Sequence, residues 1–291
     1  MTSDERNSML AIPVILLVGA GLAAAGSQSS AEALGLPLYA LAIGLAFIIQ
    51  WIAFIPSYLK KTEMFFDLTG SVTYLTVTAA AVLLSPVKDA RSLLLLGLVA
   101  IWAVRLGSFL FMRVRKAGSD RRFDEIKVSF WRLLLTWTLQ GLWVSFSLAA
   151  ALVAITSAAR VALGWFALIG VVVWVLGFGM EALADAQKNR FRADPANQGK
   201  FISTGLWAWS RHPNYFGEIT LWVGVLIIAL PVLEGWGWVA LISPVFITLL
   251  LTRISGVPML ERRADEKWGG QPAYEAYKAN TPVLVPRPPK R

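Results

Sequence analysis

Eight stretches of predominantly apolar sequence succeed one another along the chain, at residues 10–26, 36–59, 68–86, 92–112, 130–155, 161–183, 216–233 and 236–252. Each is close to the roughly 20 residues that carry an α-helix across a hydrocarbon core. Inside a bilayer no water satisfies backbone N–H and C=O groups, so spanning segments must be helices or a closed barrel, and long apolar runs without two-residue alternation read as helices. With 56% hydrophobic residues in 291 positions, the chain carries more apolar surface than a soluble core of its size hides. The expected fold is all-α, a polytopic transmembrane helix bundle of seven to eight spans. The last two runs are short and parted by Glu234 and Gly235, which suits a hairpin that barely crosses. The first run has no small-residue cleavage site ahead of a soluble body and reads as a true span.

Charge orients the spans. Of the 27 Lys and Arg residues, 23 fall on one side when eight spans alternate, only Lys88, Arg91 and Arg160 fall opposite, and Arg105 lies within a span. The positive-inside rule then places both termini and the long polar loops in the cytoplasm. The net charge of +9 reads as anchoring to anionic headgroups of the lipid bilayer, and no nucleic-acid partner is expected. Cysteine is absent and histidine occurs once, so neither a disulfide nor a metal site is expected. No polar stretch carries a globular pattern of its own. The chain reads as a single integral membrane domain over 1–291, with a helix pair in 1–61 and a core in 62–291 that ends in a cytoplasmic, Pro-rich extended tail. The run GAGLAAAG at 19–26 lies in a span with no strand before it, so close helix packing explains it better than a dinucleotide loop.

The segment GLWAWSRHPNYFGE at 205–218 sets the only histidine and several polar groups between two hydrophobic blocks. Arg211 and His212 can donate to phosphate or carboxylate, Pro213 can open a helix, and Asn214 and Glu218 then share one face four residues apart. An amide and a carboxylate at the edge of a bilayer are costly unless they meet a ligand or each other. The alternative is a cytosolic loop whose Arg and His reach headgroups and whose Asn caps a helix.

Polar residues inside the spans form a second group. Asp67 begins a span, and in a dry setting that disfavours its charged form it would act as a proton or hydrogen-bond donor; the alternative is an N-cap or interfacial carboxylate. Arg105 and Arg113 lie along one helical stripe that can track a polyphosphate, unless Arg105 pairs with a membrane acid for stability. Gln140 is a lone amide suited to an interhelical hydrogen bond. Farther on, Glu181, Asp185, Lys188 and Arg192 descend one helical face, which solvated ion pairs explain simply; the same face also brings Arg190 and Arg192 toward Arg211 around one anion. Glu261, Tyr274 and Tyr277 add acceptors and aromatic faces near the end, or pack amphipathically on the membrane.

The ordered set Asp67, Arg105, Gln140, Asp185, Arg192, Asn214 and Glu218 resembles the steroid 5-alpha-reductase family, and the motifs FDLTG, ADAQKNRF, GLWAWSRHPNYFGE and YEAYK look like its bacterial branch. The resemblance covers residues 65–286 and implies a steroid 5-alpha-reductase-like helical bundle in the bacterial inner membrane. It implies an NADPH-dependent oxidoreductase that reduces a carbon–carbon double bond conjugated to a ketone in a steroid or other hydrophobic small molecule. Asp67 falls where the family places the acid that bonds the substrate carbonyl. Arg105, Asp185, Arg192 and Asn214 fall where it binds NADPH, with Glu218 one turn further and Tyr274 and Tyr277 in the tail that closes over the cofactor. Arg113, Arg211, His212 and Tyr215 complete the candidate cofactor set. Trp102 stands where the steroid enzymes have the tyrosine that partners the acid, and Phe66 stands in place of a glutamine; Trp102 and Gln140 are the candidate substrate contacts.

Two other readings compete. Membrane methyltransferases of the isoprenylcysteine or phospholipid type, which bind S-adenosylmethionine, resemble the chain in the RHP-x-Y and later Glu and Tyr motifs, but do not call for Asp67, Arg105 and ADAQKNRFR together. A non-catalytic lipid-binding protein would keep a pocket without needing the cofactor residues.

Overall fold

The computed structural model describes residues 1–117 and 123–289. Among them are eight helical segments long and apolar enough to cross a membrane, as the eight apolar runs predict, and the chain is an all-α integral membrane protein. The only strands among the described residues are β1 (Glu32–Ala33) and β2 (Leu36–Pro37), a two-residue antiparallel hairpin. The residues group into two compact units.

The first unit, Met1–Ala167 with Ile228–Ile242, holds α1 (Ser3–Ser27), α2 (Leu38–Lys60), α3 (Phe66–Leu84), α4 (Ala90–Ala117) and α5 (Phe130–Thr156). α1 opens on a capping box in which Thr2 and Glu5 satisfy each other's backbone N–H, so the helix starts seven residues ahead of the apolar run. α5 packs on α1, α2, α3 and α4. Its residues 147–157 are buried all round, and the small Ala149, Ala150, Ala151 and Ala154 let neighbouring helices come close. Hydrogen bonds tie the helices together where hydrocarbon offers no water. Gln50 on α2 donates to Thr73 Oγ1 on α3 at 2.7 Å, and the Trp51 indole donates to Thr138 Oγ1 on α5 at 3.2 Å. The GAGLAAAG run serves close packing: a side chain at Gly26 would overlap the Tyr39 ring at 2.3 Å.

The second unit, Leu168–Ile227 with Ser243–Arg291, holds most of α6 (Trp165–Ala193) and α7 (Pro213–Ala229), then α8 (Ile242–Leu249), α9 (Val257–Trp268) and α10 (Pro272–Asn280). α6 and α7 touch backbone to backbone: a Cβ on Gly217 would lie 2.6 Å from both Glu181 N and Gly177 O.

Two expected boundaries change. The sixth span begins at Trp165 rather than at 161, because 158–164 forms an irregular strap bonded to the Ser29 carbonyl and to Arg91, and it runs on to Ala193, well past 183. The eighth apolar run is not one α-helix. It starts as a 3-10 segment, Gly235–Leu241, continues as α8, and widens into a π turn, Leu250–Ile254, before the bend at Ser255 and Gly256. The Pro-rich tail is extended but docked: Arg211 N donates to Pro282 O at 2.9 Å, Ser210 Oγ to Leu284 O at 2.8 Å, and Arg287 N to Trp209 O at 2.9 Å.

Candidate functional site

The second unit encloses a cavity of about 350 Å³. One wall is the last two turns of α6, where spacings of three and four put Lys188, Phe191 and Arg192 on one face. The chain leaves α6 through a 3-10 turn, Pro195–Asn197, capped by Asp194, and returns past Lys200 and Phe201. At Gly205 the backbone turns left-handed, with φ +62°, and passes so close to Gln187 that a Cβ would not fit. The Gln187 Oε1 accepts from Leu206 N at 2.9 Å. This turn fixes Trp207, whose indole donates to Ala184 O at 3.0 Å and whose ring lies 4.2 Å from the Lys188 ammonium.

Arg211 and His212 follow immediately before α7. Ser210 Oγ accepts from His212 N at 3.1 Å and donates into the docked tail, which holds the RHP segment from both sides. Glu261 on α9 receives both neighbours: His212 Nε2 lies 2.7 Å from Oε1, and Arg211 Nη1 bonds Oε2. The Tyr215 ring stacks on His212 at 5.5 Å and 9°. α9 turns Leu260, Arg263, Ala264, Lys267 and Trp268 to the cavity, an apolar and basic stripe at helical spacing. α10 adds Tyr274, which donates to Asp265 Oδ1 at 2.8 Å, and Tyr277, which donates to Trp207 O at 2.7 Å. Phe201 packs against both tyrosines, at 5.3 and 5.4 Å.

Six Lys and Arg residues line this space against one acid, Glu261, which is ion-paired with Arg211 and hydrogen-bonded to His212. Burial holds the His212 imidazole below its ordinary range, and the Glu261 hydrogen bond only partly opposes that, so the ring is neutral near pH 7. Burial likewise raises the Tyr274 and Tyr277 phenols and keeps them protonated. With Nε2 donating to Glu261, His212 Nδ1 is a buried acceptor without a hydrogen-bond partner among the described residues, and Arg211 Nε is a buried donor in the same position. A net positive cavity walled by indole and phenol rings is built to take an anion that carries a planar ring.

Of the expected site residues, Arg192, Arg211, His212, Tyr274 and Tyr277 line the cavity. Tyr215 meets it through the His212 ring. Asn214 and Glu218 share a face of α7 as expected, since α7 begins at Pro213; Asn214 is therefore within the helix and not its cap, and its amide donates to Asp185 Oδ1 at 3.2 Å. Arg190 is exposed and off the lining, because it sits two residues from Lys188 and so points to another side of α6. The Glu181 to Arg192 face is not a row of solvated ion pairs: Glu181 is buried, Asp185 bonds Asn214 and Lys188 covers Trp207.

The remaining expected residues belong to the first unit. Asp67 lies in the first turn of α3, whose cap is Phe65, so it is a helix-start carboxylate and not the N-cap. The Gln140 amide donates to Phe66 O at 3.2 Å, beside Gly70, where a Cβ would collide with it. Trp102 is buried on α4, edge-on to Tyr74 at 5.0 Å, and Tyr74 lies two turns from Asp67 on α3. Ser71, one turn from Asp67, touches α4 at Gly107, two residues beyond Arg105. These contacts place the helix segments that carry Asp67, Trp102, Arg105 and Gln140 within two turns of the α3–α4 and α3–α5 packing contacts. The Arg113 side chain lies outside the described residues.

Lys200, Phe201, Trp207, Arg263, Lys267 and Trp268 also line the cavity and were absent from the expected set. The signal for three of them is present in the sequence, where Leu260, Arg263, Ala264, Lys267 and Trp268 recur at one helical face of a segment too polar to span. Among the described residues, no three His, Cys, Asp or Glu side chains are grouped as a metal site.

A family profile described as Protein of unknown function (DUF1295) matches residues 53–281. No curated protein and no solved structure matches the chain.

Proposed function

We propose a function on the premise that the chain belongs to the DUF1295 family, whose profile covers both the Asp67 region and the cationic cavity. The protein is a membrane-embedded NADPH-dependent reductase of a carbon–carbon double bond conjugated to a ketone, acting on a steroid or other lipid-like substrate. The observation that carries this reading is the charge and composition of the cavity: six basic side chains, one neutralised acid and a set of aromatic faces.

The residues fit such a cofactor. Arg192, Arg211, Arg263 and Lys267 provide guanidinium and ammonium donors for pyrophosphate and 2′-phosphate oxygens, and Trp207, Trp268 and Tyr277 provide faces for a base. The unpartnered His212 Nδ1 and Arg211 Nε are buried polar atoms that a ligand would compensate. NADPH supplies the hydride that reduces the β carbon of an enone. Asp67, in the role the resemblance gives it, holds a proton toward the carbonyl oxygen and stabilises the negative charge that collects there, with more effect in a dry setting than in water. Trp102 can only donate a hydrogen bond from its indole, which makes it an orienting group and not a proton source.

The same cavity weighs against the methyltransferase reading. S-adenosylmethionine carries a sulfonium cation, which a lining with six basic side chains against a single carboxylate repels. The deciding experiment supplies reconstituted protein with an enone lipid, NADPH deuterated at the transferred position, and methyl-labelled S-adenosylmethionine. Deuterium in the product is expected; a labelled methyl group in the lipid, or neither label, would refute the reductase assignment.

A further inference from the structure

The three loop cations that depart from the charge sorting lie near one another. Lys88, Arg91 and Arg160 lie where α3 ends, α4 begins and the strap before α6 crosses, within the first unit. Lys88 Nζ donates to Ser85 O at 3.4 Å, and Arg160 Nη2 to Ser85 Oγ at 3.1 Å. Arg91 is 1% exposed, donates from Nη2 to Ala162 O at 3.3 Å, and keeps Nε and Nη1 buried without a hydrogen-bond partner among the described residues. Arg160 Nη1 is buried in the same way, 3.8 Å from Asp89 Oδ2, too far for a hydrogen bond. Arg91 and Arg160 line a cavity of about 150 Å³ with Asp89, Ala90, Val161, Ala162 and Leu163.

Buried guanidinium donors without acceptors are costly, and the two arginines that carry these three nitrogens line one small space. Asp89 does not discharge them. Its Oδ1 caps α4 through Ser92 N at 2.9 Å, its Oδ2 pairs with Arg160 at 3.8 Å, and this single carboxylate shares the cavity lining with two guanidinium groups. The strap cannot simply swing away, because Ala158 N donates to Ser29 O at 2.9 Å and Ser157 pairs with Ser30. A volume of about 150 Å³ has room for one tetrahedral group, and two guanidinium forks match phosphate oxygens in geometry and charge. The helix ends around it mark a membrane interface, and the exposed Val161, Leu163, Trp165 and Phe166 beside it suit acyl chains and the headgroup boundary. We infer that Arg91 and Arg160 form a site for one phosphate oxyanion, either the headgroup phosphate of an anionic phospholipid or free inorganic phosphate, separate from the cavity between α6, α9 and α10.

Because the other cavity also attracts phosphate, the readout must be local. The full-length protein in neutral detergent is treated with phenylglyoxal, which modifies guanidinium groups, and the rate at Arg160, whose side chain is 23% exposed, is followed by peptide mass spectrometry. Inorganic phosphate or short-chain phosphatidylglycerol is compared with chloride at equal ionic strength, and saturating ligand should slow modification about tenfold or more. Slowing by phosphate identifies free phosphate as a ligand, slowing by the lipid alone identifies the headgroup, and slowing by neither overturns the site. Arg91→Gln should abolish the protection, and protection that persists in this variant when folded overturns the assignment. Should Arg91→Gln fail to fold, Asp89→Asn decides: Asn keeps the cap on Ser92 while removing the competing charge, so protection must reach half-maximum at lower ligand concentration, and an unchanged or weaker effect overturns it.

Discussion

His212 Nε2 lies 2.7 Å from Glu261 Oε1, joining the start of α7 to α9 across 49 positions of sequence. The bond has a pH signature. Burial, the larger effect, lowers the imidazole from its ordinary value of 6.5, and the Glu261 bond opposes it only in part. The unfolded chain therefore binds the proton more readily, so the contribution to stability is complete above 6.5 and declines as pH falls through the folded-state value. Melting temperatures in detergent at neutral and mildly acidic pH should show this loss, and His212→Gln should lack that part of it. An identical decline in the variant would assign the pH dependence to other groups.

Arg192 and Arg211 both line the cationic cavity, and Arg211 is tied to Glu261. Replacing either with Ala removes charge-assisted bonds worth about 1.5–3 kcal/mol and should weaken NADPH binding about tenfold or more. Arg192→Ala, at an exposed position, should leave the melting temperature nearly unchanged, whereas Arg211→Ala leaves Glu261 with His212 alone and should lower it. Fluorescence titrations with NADPH, paired with melts, separate the two effects. Wild-type affinity in both variants would remove the nicotinamide assignment.

Asp67→Asn tests the acid. Asn keeps the size of the side chain and has no proton to give, so turnover of an enone with NADPH should fall roughly 10²- to 10⁴-fold while NADPH affinity holds. Turnover at the wild-type level would mean that this carboxyl serves only the first turn of α3.

Gly217 tests the packing beneath the site. A methyl group there must displace backbone atoms of Glu181 and Gly177 that stand 2.6 Å from its ideal position, so Gly217→Ala should cost about 1–3 kcal/mol by overpacking. It should also loosen Asn214 from Asp185, because the same two helices carry them. A thermal melt is the measurement, and a neutral result would show that α6 and α7 separate without strain.

The eight spans are legible in the sequence because bilayer thickness imposes a length that composition alone reveals. The end of α6 is not, since the polar residues after Leu183 mark where apolar sequence stops, while the helix itself continues to Ala193. Local spacing gave the shared face of Asn214 and Glu218 and the approach of Arg192 to Arg211. It could not give the bond from Arg211 and His212 to Glu261, which depends on the bend at Ser255 and Gly256 folding α9 back. The π turn before that bend adds one residue to a helical turn, a change of register that no hydrophobic period announces. Arg91 and Arg160 were legible only as exceptions to a charge rule, because their meeting depends on a strap with no regular structure.

The all-round burial of the C-terminal part of α5 bears on how the protein enters its membrane. α1, α2, α3 and α4, which pack on it, precede it in the chain, whereas the Gly235–Leu241 segment, which also packs on it, is synthesised later. When α5 emerges, most of its final surroundings are already in the bilayer, so Ser145, Ser147 and Thr138, buried in the finished protein, pass from translocon to helix interface with little exposure to lipid. The order of insertion thus adds shelter to a segment already apolar enough to span, and moving this segment ahead of its partners in a permuted chain should impair insertion before it affects the folded state.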